Sequence, residues 1–173
     1  MNTFSGNLRR DLEVRRYPIL VYAMTPLTAL VLQAWLPRFL GGFAWFDLPL
    51  VVVVYFALVQ RIPIQVTLIG AGMGLFEDAL TSHAIGVNGI AKTVVGFLAS
   101  SLGTRIDVEN PAIRLGLTFL LSLLSSAIYV AVYRMLLGLR LEWSWVIELI
   151  KSVANTLIAL VLFPALDRLQ IRD

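Results

Sequence analysis

Hydrophobic positions along this chain gather into six long runs with short polar breaks between them: Pro18 to Leu36, Phe46 to Val59, Ile62 to Leu80, Ile85 to Leu102, Ala112 to Leu137 and Trp145 to Leu166. A helix needs about 20 residues to cross a hydrocarbon core of about 30 Å, so the first, fourth, fifth and sixth runs are long enough and the second and third are short. The pattern predicts an all-α fold, an integral membrane bundle of about six transmembrane helices. The short breaks leave no room for a soluble domain, so residues 1–173 read as a single transmembrane domain, with residues 1–17 a basic segment on the cytoplasmic side.

Composition points the same way. Hydrophobic residues make up 58% of the chain and charged residues 14%, with a mean hydropathy of +0.82; a soluble domain carries about 25% charged residues. There is no cysteine, which removes disulfides, thiolate metal sites and a cysteine nucleophile. The net charge of +3 reads as a topology signal, since basic residues collect on the cytoplasmic side of membrane helices. With both termini cytoplasmic, Arg9, Arg10, Arg15, Arg16, Arg61, Arg105, Arg114, Arg168 and Arg172 lie inside, against Arg38, Arg134 and Arg140 outside. In that arrangement Trp35, Trp45, Trp143 and Trp145 fall in two outer loops, where an interfacial aromatic belt forms. The arginine-rich start also resembles a signal peptide, but its apolar run is long, no small-residue cleavage site follows, and the first helix is expected to be retained.

One stretch breaks the apolar pattern. The segment GMGLFEDALTSHAIGVNGIAKT carries Glu77, Asp78, the only histidine (His83), Asn88 and Lys92 between two apolar runs. From Pro63 to Glu77 there are 15 residues, about 22 Å of helix, so Asp78 arrives before the far side of the hydrocarbon. Either the third helix ends early, or the third and fourth segments form a re-entrant hairpin. Gly70 and Gly74 form a G-x-x-x-G pattern suited to close helix packing, and Gly86 suits a turn opening the fourth helix.

The polar residues recur at helical spacing. Asn88, Lys92, Gly96 and Ser100 share one face of the fourth helix, and Glu148, Lys151 and Asn155 one face of the sixth. Together with the acids ending the third helix they predict a polar layer of Glu77, Asp78, Asn88, Lys92, Glu148 and Lys151 near the outer surface. Asp78 or Glu77 is expected to face Lys92, with Glu148 and Lys151 satisfying each other or joining them, because unpaired charges at that depth are costly.

Other chemistry finds little footing. One histidine without cysteine cannot supply the usual zinc ligands. His83 falls outside and Ser100 and Ser101 near the inside, too far apart for a nucleophile and its base. No phosphate-cradling glycine loop with lysine and hydroxyl is present. Neither a catalytic residue nor a cofactor or metal is expected.

The run GAGMGLFEDALTSHAIGVNGIAKTVVGFLASSLG, residues 70–103, resembles the signature region of the MreD family, small multi-pass rod shape-determining proteins of bacteria. In that family a glycine-rich third helix leads to an aspartate, and about eight residues later a glycine opens the next helix; Gly70, Gly74, Asp78 and Gly86 occupy those places. Where members often have a further glycine this chain has Ser82. The resemblance implies a non-enzymatic scaffold of the cell-elongation machinery in the bacterial cytoplasmic (inner) membrane. Its implied partners are MreC, RodA with its transpeptidase, and the filament protein MreB. The size and outer polar layer also resemble the substrate-binding subunits of energy-coupling-factor vitamin transporters, in which Glu77, Asp78, Asn88 and Lys92 would line a cavity.

Overall fold

The computed structural model describes residues 17–39, 45–60, 62–81, 84–136, 138 and 143–170, which form six α-helices and no strand. They are α1 (Ile19–Trp35), continued by a 3-10 turn at Leu36–Arg38, then α2 (Leu48–Gln60), α3 (Pro63–Thr81), α4 (Val87–Gly103), α5 (Pro111–Leu136) and α6 (Trp145–Asp167). Ser82, His83, Arg61, Arg140, Arg172 and the basic segment with Arg9, Arg10, Arg15 and Arg16 lie outside the described residues. Each hydrophobic run has become one helix. Three of the spans, Leu20–Arg38, Pro111–Met135 and Trp145–Asp167, are long and apolar enough to cross a membrane by themselves.

The short second run occupies the centre. Helix α2 touches all five other helices, and every residue from Leu50 to Val59 is at most 5% exposed. Its core, Val51 to Val54, is a run of β-branched residues with modest helix propensity. In an apolar interior the backbone must nevertheless satisfy its own hydrogen bonds, and a helix does so within one segment. Thirteen residues give α2 about 20 Å of length, less than a bilayer core. The surrounding helices cover what it lacks.

Around α2 the usual distribution of polarity is reversed. Leu20 and Val31 on α1, Ile64 and Phe76 on α3, and Leu157 and Val161 on α6 are exposed, whereas Asp78, Lys92, Ser100 and Ser152 are fully buried. Large apolar side chains outside and polar ones inside suit a hydrocarbon solvent.

Helices α3 and α4 form the closest pair, and glycine makes the approach. A Cβ on Gly70 would stand 2.5 Å from the Lys92 carbonyl oxygen, and one on Gly74 would overlap the Asn88 carbonyl. One step further along, a Cβ on Gly96 would lie 3.1 Å from the Val66 carbonyl oxygen. Residues 66, 70 and 74 therefore face 96, 92 and 88 in four-residue antiparallel steps. Between the helices Gly86 has φ +100°, a left-handed conformation that side-chain-bearing residues rarely adopt.

At the opposite end of the bundle a second polar cluster forms. Arg114, counted above among the inner, topology-setting arginines, is only 6% exposed. Its Nη1 lies 2.7 Å from Asp167 Oδ2 on α6, and the guanidinium sits 4.8 Å from the Phe163 ring centroid. Tyr55 donates to Asp167 Oδ1 at 2.8 Å, and Tyr17 and Tyr55 share a hydroxyl hydrogen bond of 2.6 Å. The planar fork of arginine matches a carboxylate and stacks on aromatic faces, so it tolerates this interior position.

Candidate functional site

Helices α1, α3 and α5 end, and α2, α4 and α6 begin, at one face of the bundle, and the polar layer assembles there. Asp47 starts it. Its Oδ1 accepts the backbone N–H of Leu50 at 2.9 Å, capping α2. Its own N–H donates to Asn155 Oδ1 on α6 at 2.8 Å, and Asn155 Nδ2 donates to Ser122 Oγ on α5 at 2.8 Å. Gln33 of α1 clasps the same loop, donating to the Phe46 carbonyl at 2.9 Å and accepting the Leu48 N–H at 3.1 Å.

Lys92 closes the arrangement from α4. Its ammonium, 0% exposed, lies 2.8 Å from Asp47 Oδ2 and 2.7 Å from Glu77 Oε2. Two carboxylates from different elements share one buried cation. Without it their like charges would oppose each other in a medium that screens little.

Asp78 does different work from its neighbour. Adjacent residues on a helix point about 100° apart, so Glu77 and Asp78 cannot face the same partner. Asp78 Oδ2 accepts the backbone N–H groups of Gly86 at 2.8 Å and Asn88 at 3.1 Å, and Oδ1 accepts Asn88 Nδ2 at 2.8 Å. A carboxylate borrowed from α3 thus serves the first turn of α4, where unpaired N–H groups and the helix dipole favour negative charge.

The residues singled out from the sequence divide into three groups. Glu77 and Lys92 meet directly, Asp78 joins Asn88 and the Gly86 turn, and Glu148 and Lys151 form their own pair at 2.9 Å on α6. Gly70 and Gly74 line the α3–α4 seam and Gly86 makes the turn. Sequence reasoning missed Asp47, Gln33 and Ser122. For Asp47 a signal exists: Asp-Leu-Pro at the start of an apolar run is a helix-start pattern, an N-cap followed by proline in the first turn.

Glu77 and Asp47 border a cleft of about 360 Å³ that opens at this end and is also lined by Glu148, Lys151 and Asn155. Lys92 lies behind the two carboxylates and does not line it. The interactions lock the ends of α3, α4 and α6 and the loop before α2 to one another, while the cleft stays accessible. Compared with protein-family models, curated proteins and solved structures, the chain matches none.

Proposed function

We propose that the protein is a non-catalytic membrane scaffold of the bacterial cell-elongation machinery. It crosses the cytoplasmic membrane six times with both termini in the cytoplasm, binds MreC, and works with RodA, its transpeptidase partner and MreB in side-wall peptidoglycan synthesis. The observation that carries this reading is how the signature residues are used. Gly70 and Gly74 form a helix seam, Asp78 caps α4 and Gly86 makes its turn, so all four build one rigid hairpin. Such a hairpin presents a fixed surface to neighbouring helices, and its α3 face, with Leu68, Leu75 and Phe76 exposed, suits contact with other transmembrane segments.

The test is mass spectrometry of proteins that co-purify with a tagged copy from native membranes in mild detergent. MreC, RodA or the elongation transpeptidase should be recovered. Recovery of an energy-coupling-factor transporter's energising subunits and ATPases would replace the scaffold by a vitamin-binding subunit. The cysteine-free chain also permits a topology test. Ile85→Cys and Ser144→Cys should react with an impermeant thiol reagent from outside. Reaction of Ile85→Cys only from inside would make α3 and α4 a re-entrant hairpin.

A further inference from the structure

The cleft beside the Asp47–Lys92–Glu77 cluster has a chemistry that a packing role leaves unused. Its volume of about 360 Å³ falls within the usual range of ligand sites, about 300–1,000 Å³. It reaches deep: Asn155, in its lining, is 3% exposed and stands ten residues into α6, about 15 Å from the helix start. It is also charged. Among the described residues, Asp47, Glu77 and Glu148 against Lys92 and Lys151 leave one formal negative charge in excess. Because Lys92 sits behind the carboxylates, the one cation on the lining among the described residues is Lys151.

Two further observations indicate what would compensate that charge. Glu77 is 7% exposed and borders the cleft, yet among the described residues the Lys92 ammonium is its carboxylate's one partner. The aromatic residues Trp45, Phe46 and Tyr129 share the lining with the acids. Aromatic faces beside carboxylates attract organic cations through the ring quadrupole together with the ion pair. Among the described residues no group of three or more His, Cys, Asp or Glu side chains is placed to hold a metal ion.

We propose that this cleft is a binding site for a monovalent organic cation carrying a primary ammonium group, seated between the acidic lining and the aromatic side chains. The ammonium belongs to a lipid headgroup entering from the bilayer or to a free amine entering from water. The site does not depend on which proteins the bundle assembles with.

The experiment uses the full chain in mild detergent, with ethanolamine titrated by calorimetry and phosphatidylethanolamine compared with phosphatidylglycerol by native mass spectrometry. Saturable ethanolamine binding assigns a soluble amine. Retention of phosphatidylethanolamine over phosphatidylglycerol, without ethanolamine binding, assigns the lipid. In either case Glu148→Gln should weaken binding about tenfold, as expected for loss of one charged hydrogen-bond partner. Lys151→Met should tighten it by removing the competing cation. Neither side chain belongs to the Lys92 cluster, and melting curves of the two variants report whether the fold is intact. Failure of both probes to bind, or an affinity unchanged in two folded variants, would overturn the proposal.

Discussion

Lys92 carries the largest single burden among the side chains, because it is the cation shared by two acids and has no access to water. Lys92→Met removes the charge but keeps the volume, leaving Asp47 and Glu77 facing each other. Breaking a buried pair in this way costs about 3–5 kcal/mol. The variant should melt far below the parent in detergent, and Lys92→Met combined with Glu77→Gln should recover part of the loss. An unchanged melting temperature would mean that water reaches the cluster. Asp78→Asn should be milder, about 1–2 kcal/mol. It keeps one oxygen for the N–H groups of α4 and loses the charge at the helix start together with the acceptor for Asn88 Nδ2.

At the level of helices, the α3–α4 seam makes a paired prediction. Gly74→Leu drives a side chain into the Asn88 backbone, whereas Gly72 has open space where its Cβ would be. Gly74→Leu should abolish folding or assembly, and Gly72→Leu should leave expression and melting nearly unchanged. Equal effects would place the seam elsewhere. This seam was legible in the sequence, since G-x-x-x-G reports small residues on one face and the facing Asn88–Lys92–Gly96 stripe has the matching period. The helices were legible too, because a run of apolar residues in a membrane has few other options. Which acid meets Lys92 was not. Glu77 and Asp78 differ by about 100° of helix rotation, a quantity that depends on how α3 rolls against its neighbours. Asp47 was hidden for another reason: it meets Lys92 across 45 positions of sequence, and only tertiary packing brings them together. The burial of Arg114 was not legible, because a basic residue near a helix end looks the same in sequence whether it faces water or stacks on Phe163.

Across the whole molecule the ordering is concentric, with α2 at the axis, polar clusters near both of its ends and apolar side chains around the rim. Substitutions should respond to radius more than to residue type. Ala57→Leu, at a position 0% exposed on α2, should overpack the axis and cost about 1–3 kcal/mol. Leu157→Ile on the outer face of α6 should change stability by less than about 0.5 kcal/mol. Similar losses at both sites, measured by denaturation in detergent, would contradict the concentric order. The axis position of α2 also bears on how the protein is made. During synthesis α2 emerges before α4 and α6, so Asp47 enters the membrane boundary ahead of Lys92, its counter-ion, and Asn155, its amide partner. Until both arrive, the segment at the heart of the finished protein is a helix too short for the bilayer with an uncompensated acid at its tip. Completion of the Asp47 cluster is therefore a late, collective event that waits for α6.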